Sequence, residues 1–425
     1  MGLIKTVRLL LLLTAALVLA SCAGTGRAPT GPKPISTPQA GSKDMGSSAR
    51  TSELPLRGSL TDPRGRAVDI TLFDTMAAKA DYILVGEGHS NRCDHRMQMR
   101  FIDRMGSAGE MPVIGLEMVS TDQAFILQQF NRGDIALDDL PAELRWKNTW
   151  GYPFDLYRGV FRAAEIYKLP VEPLNVPRKV VHAVSRQGVD NLDDELAAYL
   201  PSRIVPPPAE QVESLRASFL AHKNMPSMTN ATQGDAKDVE KPAEKADAKA
   251  AEENEHLERF VLVQSLWDSK MAQEAVAAHK RYNRPVIILA GGGHVEFGWG
   301  IAHRLKIFDP GATILTIMPW RGGENEIGSA DLLYYCPTSH RSSRGMSLEE
   351  RNGIVVVSDI VSGSKADKAG LRQGDIVRKA MGDPVEALSD LHKAGMKAFK
   401  EKSELIFSVE RDGEMMDIDL GKVGE

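Results

Sequence analysis

Val286-Ile287-Ile288-Leu289-Ala290-Gly291-Gly292-Gly293-His294 is the stretch on which the fold turns. Five apolar residues ending in a glycine run read as a buried strand, because the run is shorter than a core helix needs. The same order occurs earlier, where Tyr82–Val85 runs into Gly86-Glu87-Gly88-His89. Val113–Leu116, Val171–Leu174 and Thr313–Met318 complete a set of five such strands. Helical patterns lie between them. Ser120 and Gln123 have capping-box spacing, and Gly133 closes that helix. Asp155–Leu169 puts Leu156, Val160, Ala163, Ala164 and Tyr167 on one face. Pro177 and Gly188 bracket a third helix, and Leu257–Arg281 is a long amphipathic one. Alternating strands and helices predict an α/β fold, a mainly parallel sheet covered by helices on both faces.

Ligands of such sheets collect beyond the carboxyl ends of the strands. The first strand ends at Glu87 and His89, the second at Glu117, the third at Asn175 and the fourth at His294. Two carboxylates, an amide and two imidazoles therefore meet one edge. Imidazole with carboxylate suits a divalent transition metal held by His89 and His294, with Glu87 or Glu117 as general base on bound water. A plainer reading has Glu87 capping a helix and the histidines bonding strand ends. Nucleotide motifs fail, because Gly291-Gly292-Gly293 has no following Gly-Lys-Ser/Thr and no G-x-G-x-x-G is completed. No G-x-S-x-G elbow supports serine hydrolysis. His89, Cys93 and His95 lack the second cluster of a zinc site.

The chain has 425 residues, 42% hydrophobic, which suffices for a large core and excludes wholesale disorder. A net charge of −5 argues against nucleic-acid binding. Three cysteines are too few for a disulfide scaffold, and an exported location permits Cys93 and Cys336 to pair without requiring it.

Lys5 and Arg8 precede the apolar run Leu9–Ala20. That is a secretory leader, here residues 1–21. Leu19-Ala20-Ser21-Cys22 resembles a bacterial lipobox, which implies cleavage before Cys22 and lipidation of that cysteine. Ala23 in place of aspartate favours the outer membrane, facing the periplasm. Residues 22–57, rich in Gly, Pro, Ser and Thr, read as a flexible tether. Residues 195–256 interrupt the main domain with Pro206-Pro207-Pro208 and a lysine-rich stretch, Asp235–Glu255, read as a solvated helix or disordered insert.

Several ordered motifs resemble the ChaN branch of the Tiki superfamily, bacterial haem-binding lipoproteins. They are Leu84–His89, Gly115–Met118, Trp150–Phe154, Leu174–Arg178, Gln264–Asp268 with Met271-Ala272, and Gly293–Val295, spanning roughly residues 57–320. The resemblance implies an α/β fold, haem or iron acquisition at the outer membrane, and haem held between two subunits of a homodimer by a tyrosine of the variable arm. No tyrosine occurs between residues 200 and 281, so Tyr199, His222, Met225 and Met228 stand in as iron ligands. Other Tiki members resemble metal-dependent hydrolases, including peptidases. Their motifs map onto Glu87, His89, Glu117 and His294, which keeps a hydrolase open beside haem binding.

Residues 345–425 resemble a bacterial PDZ domain, most clearly at Val361–Ala366 and Ala369–Val377. The resemblance implies capture of protein or peptide C-termini by strand addition along Ile354–Val357, with Gly353, Ile354, Val355 and Val356 as contacts. The domain plan is then an α/β domain over 58–320, a flexible linker over 321–344, and the PDZ domain.

Overall fold

The structure, a computed structural model, describes residues 56–423 apart from 224–241, 324, 325, 327 and 352. The leader, Cys22, almost all of the tether, Met225 and Met228 lie outside the described residues.

Eight strands make the first sheet. Two of them, β1 (Leu60–Thr61) and β2 (Ala67–Val68), form an antiparallel edge hairpin. The other six run parallel: β3 (Tyr82–Glu87), β4 (Val113–Ser120), β5 (Val171–Asn175), β6 (Val286–Gly291), β7 (Ile314–Trp320) and β8 (Leu332–Tyr335). The order is β2-β1-β8-β7-β3-β6-β4-β5. Both faces are covered, as the alternation of strands and helices implies. Ile83, Val85, Leu116, Leu289 and Ile317 face a core shared with Phe101, Leu127 and Phe161. Tyr82, Leu84, Ile288 and Ala290 face the other, with Met271, Ala275 and Leu305. Fully buried parallel strands need such continuous apolar runs, which is why these five were legible.

The insert contains the helix Ala209–Lys223 and the first part of the 41-residue helix Pro242–Tyr282. The second half of that long helix packs on β4, β5 and β6.

Residues 321–344 are not a plain linker. β8 lies inside them and joins the first sheet between β7 and β1. β9 (Thr338–Arg341) also lies inside them and opens a second, antiparallel sheet. Each strand is four residues long, too short to stand out as a pattern. Between them Cys336 is bonded to Cys93, with Cα atoms 5.7 Å apart. Next to it, Asn91 Nδ2 donates to the Pro337 carbonyl at 2.9 Å.

The second sheet continues with β10 (Met346–Arg351), β11 (Ile354–Ile360), β12 (Ile376–Ala380), β13 (Asp383–Pro384), β14 (Glu404–Arg411) and β15 (Glu414–Lys422). Its order is β15-β14-β12-β11-β10-β9, with β13 paired to β12. The helix Leu388–Glu401 packs on β10, β12 and β14, and its Ala394 and Ala398 enter a separate core with Leu348, Val357 and Phe407.

Candidate functional site

β6 lies between β3 and β4, with Glu87 opposite Gly291 and Leu116 opposite Leu289. The carboxyl ends of the three strands therefore share one rim. Glu117 reaches across it, its Oε2 accepting from the Gly291 N–H at 2.6 Å. Glu87, His89, Glu117 and His294 are all buried at this rim, as two carboxylate–imidazole clusters.

The first cluster surrounds Glu87. Its Oε1 accepts from the Tyr157 hydroxyl at 2.6 Å and pairs with His89 Nδ1 at 2.8 Å. Its Oε2 accepts from Gln98 Nε2 at 2.7 Å and lies 3.3 Å from His95 Nδ1. Burial by itself would raise the pKa of this carboxyl. The positive charge of His95 and the bonds from His89 and His95 outweigh burial, and the group stays ionised well below the usual carboxylate range. Burial likewise opposes protonation of His95, but the Glu87 charge raises its pKa above the ordinary value. Tyr157, buried and beside Glu87, is pushed far up and remains a donor. A carboxylate with both oxygens engaged and a depressed pKa makes a poor general base. Glu87 is thus an organiser of the rim, and its expected role in activating water is not supported by its surroundings.

The segment 146–161 walls this cluster with aromatic rings. His89 meets Trp150 edge-on at 4.8 Å and Tyr152 at 5.1 Å. Trp150 Nε1 donates to the Tyr157 hydroxyl.

The second cluster is centred on His294. Its Nδ1 lies 2.6 Å from Asp268 Oδ1, and its Nε2 lies 3.5 Å from Glu117 Oε1. Asp268 is fully buried, and its Oδ2 accepts from Gln211 Nε2 at 3.2 Å. Gly300 is required here: a Cβ on it would collide with the His294 carbonyl. Asn175 joins through Nδ2, donating to the Glu117 carbonyl at 3.1 Å.

The shared metal expected of His89 and His294 is not what the side chains build. Each imidazole is engaged by a different carboxylate, and among the described residues no three His, Cys, Asp or Glu side chains converge as a ligand set. Cys93 is occupied by its disulfide.

Tyr199 packs in a small apolar cluster with Val180, Leu196 and Leu266, and Lys179 Nζ sits 5.3 Å over its ring. His222 is in the last turn of the helix Ala209–Lys223, and its side chain lies outside the described residues. The insert also frames a groove of about 530 Å3, lined by Val189, Ile204, Pro206, Val212, Leu257 and Leu262 with Arg216 among them.

The peptide contacts expected at Gly353, Ile354, Val355 and Val356 are corrected by the pairing. β11 is bonded to β10 along its length and to β12 at Val355 and Val356. Both of its edges are occupied where a peptide would add. Gly353 sits in the turn between β10 and β11 with φ +71°, a conformation that favours glycine.

Sequence reasoning missed Tyr157, Gln98 and Asp268, and weighed His95 only as a zinc ligand. All four sit in or beside helices and reach the rim from outside the strand ends. Asp268 stands inside a quoted family motif, which was the available signal.

A solved ChaN of Campylobacter jejuni, described with cofacially bound haem, is 18% identical, covering 65% of this chain and 95% of that one at a TM-score of 0.48. A histidine mutant of the erythromycin esterase EreC in its open conformation is 13% identical, covering 64% and 81% at 0.33. A succinoglycan biosynthesis protein is 13% identical, covering 62% and 72% at 0.34. No curated protein matches the chain. The PDZ family profile matches residues 344–421. The profile described as haem-binding uptake, Tiki superfamily, ChaN matches residues 74–305, more than half of the chain, and the protein belongs to that family.

Proposed function

We propose that the protein is a haem-binding lipoprotein, anchored through Cys22 to the outer membrane and facing the periplasm, with a PDZ module that recognises peptide ends. The observation carrying the haem reading is the apolar groove framed by the insert of a ChaN-family domain. Its walls suit a flat, largely apolar macrocycle, and Arg216 suits a propionate. Tyr199 packs in the same cluster as Val189, Ile204 and Leu262, and its phenol is the iron ligand we assign, with His222 as a second candidate. When bound, haem supplies the iron. Val189, Ile204, Pro206, Val212, Leu257 and Leu262 would hold the macrocycle and exclude water from it, and Arg216 would orient it. The Cys93–Cys336 bond supports export, because such bonds persist in oxidising compartments.

Titrating haemin into the lipidated chain in detergent should give a saturable Soret shift. Tyr199→Phe should weaken binding at least about tenfold, the equivalent of roughly 1.4 kcal/mol, and Arg216→Ala severalfold. The absence of a saturable shift would remove this reading.

The Asp268–His294 pair favours a second reading, hydrolysis at the rim. A buried carboxylate on Nδ1 fixes the tautomer and makes Nε2 the proton-accepting atom. In that case p-nitrophenyl acetate is turned over and His294→Asn loses about 100-fold or more of the rate. An inert wild-type protein leaves haem binding alone.

A further inference from the structure

We propose that the peptide groove of the PDZ domain is filled by the chain's own segment Thr338–Arg341, and that a partner binds as an extended peptide only by displacing it. The inference rests on the peptide-recognition reading above.

Strand addition needs a sheet edge. At this end of the second sheet the outermost structural strand is β10, and β9 already lies on it. Their register is Arg341 with Ser347, His340 with Leu348, Ser339 with Glu349 and Thr338 with Glu350. The pairing is antiparallel, and β9 ends at Arg341 beside the tight turn Ser342–Gly345 that leads into β10. A peptide added antiparallel to β10 would run the same way and end at that turn.

The surroundings of β9 are those of a peptide groove. The helix Leu388–Glu401 packs on β10, and Glu350 Oε2 accepts from its first N–H, that of Leu388, at 3.0 Å. His340 of β9 lies opposite Leu348, whose side chain enters the PDZ core with Ala394 and Ala398 of this helix, and directly opposed residues share a sheet face. The intramolecular strand therefore lies on the helix side of β10.

The two strands differ in what holds them. β10 sends Met346 and Leu348 into the PDZ core. None of the four β9 side chains is buried, and Thr338, His340 and Arg341 are exposed. β9 is retained by backbone pairing, so its release uncovers little apolar surface. A peptide with apolar side chains recovers the same backbone bonds and adds burial that β9 lacks. That difference is what makes Thr338–Arg341 a displaceable occupant.

Two full-chain variants test the inference. Thr338→Pro with His340→Pro removes the two β9 backbone donors that face β10, because the Ser342 N–H bonds the Met346 carbonyl and bonded pairs alternate from there. Arg341→Cys with Ser347→Cys allows a disulfide that locks β9 in place. Hydrogen exchange of the wild type should show protected β10 amides. In the proline variant protection of Leu348 and Glu350, whose backbone faces β9, should fall at least tenfold, while β14 and β15 stay unchanged and certify the fold. A pool of random heptapeptides with free carboxyl ends should then be retained at least tenfold more by the proline variant than by wild type. The locked variant should retain none until it is reduced. Equal retention by wild type and proline variant overturns self-occupancy and leaves peptide recognition standing. Unprotected β10 amides in the wild type overturn it as well. Retention by neither protein, with β14 and β15 protected, overturns the peptide-recognition reading and this inference with it.

Discussion

Glu87→Gln is expected to lower the free energy of unfolding by about 3–5 kcal/mol, the usual cost of removing one partner from a buried ion pair. The charge of His95 would lose its counter-ion in a site where both side chains are almost completely dehydrated. Tyr157 and His89 would face an amide in place of a carboxylate. The pH dependence should change too. The pKa of His95 is raised from its ordinary 6.5, so its contribution is complete below about pH 6.5 and fades as pH climbs through the higher folded value. The pKa of Glu87 is depressed from its ordinary 4.5, so its contribution is complete above about pH 4.5 and fades only in strong acid. Wild-type stability from this pair therefore holds between those limits and declines on the alkaline side. Urea unfolding followed at several pH values would show that decline flattened in the variant. A change below about 1 kcal/mol would mean that the pair is not the buried ionic contact described.

Cys93→Ser with Cys336→Ser should cost about 2–5 kcal/mol. The bond joins residues 243 apart in sequence, and closing so long a loop in the unfolded chain places it near the upper end of the chain-entropy expectation. The loss should appear first at β8, because Cys336 follows that strand directly while β3, β6 and β4 stay paired to one another. Hydrogen exchange resolves the two: faster exchange in Leu332–Tyr335 with unchanged β6 is the expected pattern. Uniform loss across the sheet, or none, would contradict it.

How far the sequence revealed these features depended on which residues carried the signal. Buried parallel strands announce themselves as apolar runs, and the glycine–histidine pairs after two of them mark the rim without further help. The partners of those histidines do not. Asp268 sits in a helix with many other polar residues, and Tyr157 looks like one aromatic position among several between residues 146 and 161. Their role follows only from helix packing, which no local pattern records. In the PDZ domain the most apolar run, Ile354–Val357, invited the peptide, but its apolarity marks a strand enclosed on both edges. The strand next to the sheet edge, Met346-Ser347-Leu348-Glu349-Glu350-Arg351, has only two apolar residues in six, as a strand near an edge should.

The sulfur bridge at Cys336 and the Asn91 bond to Pro337 also fix a pivot. Peeling Thr338–Arg341 from its neighbour would free the six residues 338–343 as a leash of roughly 20–22 Å when taut, at 3.3–3.6 Å per residue, because Arg344 stays bonded to the Leu420 and Lys422 carbonyls. A cargo-loaded module could then swing through that radius without tugging on the haem-family domain, and the Arg57–Glu349 ion pair would serve as its latch at rest.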